Sequence, residues 1–425
     1  MNPSSDVRYL LSKIRKHPID KTVPRDRLNL VNRGRTSLFP WRGQFSPELV
    51  ELLLTHYASP DSVVLDPFVG SGTTLFEAAR QSLACIGSEI NPAAVEMART
   101  ILFTNMNRGS RNEYVHKAEI IIRKYLRQSQ GATLFSFEEG PPRTGISIQD
   151  VFRSMLAEAS KEDLIHSIVV NSLLRYVAMA KRERARPDGL LRAFRIHKEI
   201  IENLPCSKKP CKIFQCDARA LPIDDETVDL IVTSPPYINV FNYHQQYRKV
   251  MELAGWDLLK VAKSEIGSNR KNRGNRFLTV VQYSIDMLQA LNEMRRALRR
   301  SGRIVIVIGR ESTIRGVRFE NYRILCALAM GGAGLKMMSR QERKFVTRFG
   351  ETIYEDLLHF TPSDEQPIQS DDFARSIGVY FLKKAKRPYT KDVRQDILSA
   401  TRDANSTRAS PILSELDRIM RSGSM

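Results

Sequence analysis

The chain predicts an open α/β fold with a mostly parallel sheet, and two observations carry that expectation. The first is alternation: short buried-strand patterns at 63–65 and 85–90 each run into a turn and then a helix-forming stretch. The second is the return of such strands later, at 212–217, 228–232 and 302–309. The last of these, Ile304-Val305-Ile306-Val307-Ile308, is apolar without alternation, as a strand buried on both faces should be.

Taken in order, residues 1–38 read as a basic, irregular segment carrying Arg25, Arg27, Arg33 and Arg35. A helix starts at Ser46-Pro47-Glu48, where Ser46 can cap and Pro47 suits the first helical position. Val63-Val64-Leu65 is a strand, 66–72 its turn, and 73–80 a helix. The strand at 85–90 ends at Glu89, and Asn91-Pro92 opens the next helix. Residues 101–210 form a mostly helical insertion with a Gly/Pro-rich patch at 140–145. After the strands at 212–217 and 228–232, a helix through 284–300 leads into the strand at 302–309. Residues 335–346 and 353–360 suit a closing antiparallel pair, and 361–425 read as a polar, peripheral tail. No internal repeat is present.

The bulk numbers narrow the function classes. With 66 Lys+Arg against 47 Asp+Glu, the net charge is +19, which favours a polyanionic partner such as nucleic acid without separating DNA from RNA. A hydrophobic content of 42% is ordinary for a globular chain. No apolar stretch approaches the roughly 20 residues that span a bilayer, so no membrane partner is expected. The polar N-terminus lacks an apolar leader, and five cysteines do not suggest a disulfide framework, so a reducing cytoplasm is the expected location. Cys206, Cys211 and Cys216 lack paired spacing and a nearby His, and no metal site is expected.

Three places carry chemistry. Phe68-Val69-Gly70-Ser71-Gly72 is a strand-to-helix turn whose glycines permit positive φ and close approach of a ligand. Glu89, ending the next strand, can accept hydrogen bonds from ribose hydroxyls, or be a solvated carboxylate at a helix start. Asp66, Gly70, Gly72 and Glu89 together point to a nucleoside-containing cofactor, with Phe68 and Thr73 of the same turn as further candidates for binding it. Asp217 lies at another strand end, where it suits an adenine amino group or caps a turn before Ala218-Arg219.

The strongest signal is Thr233-Ser234-Pro235-Pro236-Tyr237, directly after a buried strand. Two prolines fix φ and remove two N–H donors, so the turn is stiff and presents acceptors. Ser234 Oγ and a turn carbonyl can hold both hydrogens of an amino group. A base's exocyclic nitrogen is a poor nucleophile because its lone pair is delocalised. Acceptors that favour pyramidal nitrogen bind the transition state more than the ground state and so speed transfer. Tyr237 offers a face for the base, a contact typically worth about 1–3 kcal/mol.

These residues resemble the amino-group (N4-cytosine and N6-adenine) DNA methyltransferases of restriction–modification systems. The Phe-x-Gly-x-Gly loop matches at 68–72 and the catalytic Ser-Pro-Pro-Tyr at 234–237. Glu89 matches the family's ribose-binding acid and Asp217 its adenine-binding acid. Trp41-Arg42-Gly43-Gln44-Phe45-Ser46-Pro47 resembles the segment covering the methionine part of the cofactor, and Gly309-Arg310-Glu311 a later core segment. The resemblance covers 39–100 and 211–360. It implies a Rossmann-like, seven-stranded, mostly parallel sheet with S-adenosylmethionine over the strand ends.

It also implies duplex DNA as substrate, a flipped-out base, and a possible cognate restriction endonuclease acting separately in a bacterial or archaeal cell. Ser at the head of the turn associates with N4-cytosine; Asp or Asn is commoner with N6-adenine. N6-adenine methylation, methylation of RNA and a catalytically inert DNA-binding module are the rival readings. The cofactor loop precedes the catalytic loop here, the reverse of many Ser-Pro-Pro-Tyr enzymes. Target recognition is therefore sought in two places. One is the insertion, with Lys181-Arg182-Glu183-Arg184-Ala185-Arg186. The other is the 268–276 run, whose Arg270, Lys271, Arg273 and Arg276 suit phosphates and base edges. Asn239, Asn242, Tyr243 and Tyr247 are candidates for the base pocket.

Overall fold

The computed structural model describes residues 3–17, 19–30, 35–128, 148–180, 188–239, 245–267, 272, 274–346, 350–385 and 390–413. Nine strands occur among them: β1 Val63–Asp66, β2 Ala84–Glu89, β3 Cys211–Gln215, β4 Val228–Thr233, β5 Leu298–Gly309, β6 Glu311–Ile314, β7 Val317–Glu320, β8 Leu335–Val346 and β9 Thr352–Pro362. Seven build one sheet in the order β3-β2-β1-β4-β5-β9-β8, while β6 and β7 form a separate hairpin. Strands β1 to β5 pair in parallel, and β9 runs antiparallel between β5 and β8. The sheet is the seven-stranded, mostly parallel one expected from the sequence.

Both faces of the sheet are buried. On β5, Val305 and Val307 face one core, and Ile304, Ile306 and Ile308 face the other. The first face is covered by α3 Pro47–Tyr57, α4 Thr73–Arg80, α5 Pro92–Arg99 and the insertion. The insertion holds a 3-10 turn Thr100–Asn105 and helices α6 Arg108–Gln128, α7 Ile148–Ala159, α8 Asp163–Ala180 and α9 Gly189–Glu202. Arg111, wholly buried, gathers both ends of the insertion. Its guanidinium donates to the carbonyls of Phe103 and Met106 on one side and Ile201, Leu204 and Pro205 on the other. Such pairing is what makes a buried cation tolerable. The opposite face carries α12 Leu278–Ala297, α13 Asn321–Gly332 and α14 Asp371–Lys384. Short helices α10 Arg248–Leu253 and α11 Leu258–Ser264 follow β4.

Four local expectations are corrected. Residues 1–38 are not irregular: they hold α1 Pro3–Lys16 and α2 Arg25–Asn29, with Val7, Leu11 and Ile14 buried. The 7, 11, 14 spacing is a helical stripe that the dense charge obscures. The tail is not merely peripheral, because α14 buries Phe373, Ile377 and Phe381, and α15 Lys391–Asp403 buries Val393 and Ile397. The helix before β5 spans 278–297, and the strand begins at Leu298 rather than 302. Ser46 stands at the N-cap of α3 but makes no side-chain cap; its carbonyl accepts from Leu49 and Val50 N–H.

The strand order reverses between β1 and β4, since β2 and β3 lie to one side and β5 to the other. In open α/β sheets ligands bind at such a switch, beyond the C-terminal strand ends. Asp66 ends β1 and Thr233 ends β4.

Candidate active site

The cofactor loop leaves β1 at Asp66 and enters α4 at Thr73. Gly70 (φ 53°) and Gly72 (φ 96°) both have left-handed backbones. A Cβ on Gly72 would lie 2.9 Å from Phe76 Cε2 and 3.1 Å from the backbone Cα of Ala98, so glycine is required there. The Gly70 N–H donates to Glu89 Oε2 at 2.9 Å, and the Asn91 N–H to Oε1 at 2.8 Å. Glu89 thereby clamps the loop to the end of β2, and each oxygen keeps a lone pair for a ligand. Removal from water pushes its carboxyl up to about 7, against those two hydrogen bonds.

Asp66 is buried and serves as a joint. It accepts from the Phe68 N–H at 3.1 Å, Thr74 Oγ1 at 2.6 Å and Thr233 Oγ1 at 2.6 Å. Burial raises its carboxyl to about 6, with the three donors opposing. Asp217, two residues past β3, is likewise engaged. It accepts from Arg219 Nε at 2.9 Å and Arg219 Nη2 at 2.6 Å.

One cleft brings these residues together. Asp66, Phe68, Gly70, Thr73, Glu89 and Asp217 line it with Ser234, Pro235, Pro236 and Tyr237. Gly72 alone among the cofactor-loop candidates stands behind the wall, in the turn that supports it. Trp41, Gln44 and Phe45 form a further wall. They are steadied from across the chain: Tyr247 Oη and Gln246 Nε2 donate to the Pro40 carbonyl at 2.5 and 2.9 Å. Trp41 and Tyr247 stack with ring centroids 6.3 Å apart. Ser264, Glu265 and Ile266 complete the cleft. They lie at the end of α11 and just after it, in a stretch with no glycine loop or strand-end acid to mark it, so sequence reasoning missed them.

Tyr237 lies against Gly309, where a Cβ would come 2.7 Å from its Cε2, and its hydroxyl is 3.4 Å from Glu355 Oε1. Asn239 (φ 60°) donates to the Thr313 carbonyl at 2.9 Å and accepts from Arg276 Nη2 at 2.7 Å. Arg276, expected at the DNA, thus has one guanidinium nitrogen bonded to the residue two positions after Tyr237. Arg270, Lys271, Arg273, Asn242, Tyr243, Arg33, the 140–145 patch and the 181–186 run lie outside the described residues. Among the described residues, no group of three or more His, Cys, Asp or Glu side chains is placed to hold a metal ion. No described helix is long and apolar enough to cross a membrane.

The charge of the cleft says what it accepts. Four acidic side chains line it (Asp66, Glu89, Asp217 and Glu265), and among the described residues no Lys or Arg does. That setting opposes a pyrophosphate-bearing dinucleotide and suits a nucleoside that carries positive charge. S-adenosylmethionine, with a sulfonium, an ammonium, a ribose diol and no phosphate, fits these residues.

The sheet order is that of the Rossmann-like fold of class I methyltransferases, and an acidic cleft lies at its switch point. Comparison with known proteins is narrower and more specific. Residues 12–100 match the family model of N6/N4 methyltransferases, described as DNA methylase. The type II methyltransferase M.MjaII of Methanocaldococcus jannaschii is 38% identical over 55 residues, 13% of this chain. That match spans 10% of the curated relative's length. The resemblance to the amino-group DNA methyltransferases is borne out over this segment, which holds Trp41, the glycine loop and Glu89. Two solved structures are also similar. A SAM-dependent methyltransferase from Methanosarcina mazei is 10% identical with a TM-score of 0.32, over 74% of this chain and 98% of that one. A TehB-like SAM-dependent methyltransferase from Corynebacterium glutamicum is 12% identical with a TM-score of 0.29, over 85% of this chain and 100% of that one.

Proposed function

We propose that the protein methylates an exocyclic amino group of a base in duplex DNA, with S-adenosylmethionine as donor, and that the base is cytosine, modified at N4. The observation supporting this is that Ser234, Pro235, Pro236 and Tyr237 line the same acidic cleft as Glu89, Gly70 and Asp217. Amine acceptors and nucleoside-binding groups share one wall-to-wall space.

Glu89 would hold the ribose hydroxyls, Asp217 the adenine amino group, and Trp41, Gln44 and Phe45 the methionine end. When bound, the cofactor supplies an electrophilic methyl on a sulfonium. Ser234 Oγ and the Pro235 carbonyl would accept hydrogen bonds from the two amine hydrogens and orient the nitrogen lone pair; on methylation the thioether S-adenosylhomocysteine leaves and the nitrogen gives up one proton to solvent. Tyr237 stacks on the base, which is extruded from the duplex at about a few kcal/mol. The choice of cytosine follows Ser234 at the head of the turn by resemblance. The biological setting is restriction–modification in a bacterial or archaeal cytoplasm, with any cognate endonuclease a separate protein. Arg270, Lys271, Arg273 and Arg276 are proposed phosphate and base-edge contacts. Offering labelled S-adenosylmethionine with duplex DNA, tRNA or rRNA tests the substrate class. Label entering DNA is expected, and label entering RNA alone contradicts the proposal.

A further inference from the structure

The Arg219 guanidinium is completely buried between two carboxylates. Besides its pair of bonds to Asp217, Nη1 donates to Asp286 Oδ1 at 2.9 Å and to the Ser410 carbonyl at 2.8 Å. Nη2 donates to the Pro411 carbonyl at 2.9 Å and the Ser264 carbonyl at 3.4 Å. Asp286, on α12, is held in turn by the tail: its oxygens accept from the Ser410 N–H and Oγ, both at 2.7 Å. Gln282 Nε2 donates to Ser410 Oγ at 3.0 Å.

Only two of these groups touch the cleft. Asp217 and Ser264 line it, while Asp286, Ser410 and Pro411 stand behind. The guanidinium is a planar fork with fixed donor directions, so its rear partners determine where its front edge points. Losing a rear donor to Asp286 leaves a buried carboxylate short of partners, and Arg219, already 2.9 Å from it, is the cation placed to compensate. That draws it away from Asp217.

We infer that Arg219 and the C-terminal segment at Ser410 and Pro411 are positioning residues for the cofactor: they aim the Asp217 carboxylate at the adenine end of the cleft from behind. This rests on the reading of Asp217 as the adenine contact. The last helices and the segment after them then have a task in cofactor affinity, remote in sequence from the cofactor loop.

The test is calorimetric titration of the full-length protein with S-adenosylhomocysteine, alongside circular dichroism and steady-state kinetics. Asp217→Asn should weaken binding tenfold or more, as loss of a charge-assisted hydrogen bond does. Arg219→Lys should weaken it by a similar factor, and Ser410→Ala by about fivefold. Ser410→Thr, which restores a hydroxyl, should recover most of the loss. In Ser410→Ala, KM for S-adenosylmethionine should rise while kcat at saturating cofactor and KM for DNA stay put. A purely structural role would lower the melting temperature without that selective change. If Asp217→Asn weakens binding but folded Ser410→Ala and Arg219→Lys bind as wild type, the inference is overturned and the role of Asp217 stands. If Asp217→Asn also binds as wild type, the reading of Asp217 itself falls. Loss confined to kcat in Ser410→Ala overturns the inference as well.

Discussion

Thr233 Oγ1 donates to Asp66 Oδ1 at 2.6 Å, joining the last residue of β4 to the last residue of β1. The other Asp66 oxygen accepts from Thr74 in α4. One carboxylate therefore ties the Ser234–Tyr237 turn to the helix after the glycine loop. Thr233→Val keeps the shape and deletes the hydroxyl. It should cost about 1–3 kcal/mol of stability, read in urea denaturation. It should also lower kcat about tenfold or more, because a small displacement of the turn misplaces its acceptors. Unchanged kcat would show that the joint is structural only.

In the proposed reaction Ser234 is an amine acceptor whose value is greatest as positive charge develops on nitrogen, and Ser234→Ala removes it. Turnover should fall about 10²–10³-fold. The dissociation constant for S-adenosylhomocysteine should change little. Equal losses in both would count against Ser234 as an amine acceptor.

Gly72→Ala meets both a left-handed backbone and Ala98 Cα at 3.1 Å. The expected destabilisation is about 1–3 kcal/mol. Cofactor binding should weaken with it, since the same turn sets the Gly70 N–H on Glu89. A variant with wild-type thermal stability would refute this account of the loop.

Glu89 gives a pH dependence. Its carboxyl is pushed up to about 7 in the free protein, and accepting both ribose hydroxyls, as proposed for Glu89, would favour the ionised form. Cofactor affinity should therefore weaken about tenfold between about pH 8 and about pH 6. Glu89→Gln should bind weakly at every pH and lose that slope. For stability the sign is opposite. The folded state holds the proton more tightly than the unfolded chain, so this contribution is complete below the ordinary carboxyl range, about 4.5, and is lost as pH rises through about 7. Thermal unfolding of the free protein across that window should show the loss in wild type and not in Glu89→Gln.

What the sequence reveals about this site is what lies close together along the chain. The glycine turn after 63–65, the acid at Glu89 and the proline turn after 228–232 are local patterns, and all three meet in the cleft. The joint between Asp66 and Thr233 spans 167 positions, and the bond from Ser410 to Asp286 spans 124, so neither leaves a periodic or spacing signal. Trp41 was legible only through family resemblance, because its support from Tyr247 comes from another part of the fold. The helix at 3–16 was hidden by charge between its apolar positions, while that at 371–384 carries an apolar run at 377–382 whose signal is diluted by the polar residues around it.

The most direct test of the account is the identity of the methylated nucleoside. Duplex DNA incubated with the protein and S-adenosylmethionine would be digested and its nucleosides separated by mass spectrometry. The account predicts N4-methylcytosine. N6-methyladenine would keep the amine chemistry of the Ser234 turn and overturn the assignment of the base, whereas 5-methylcytosine, or no methylated base at all, would contradict the central claim.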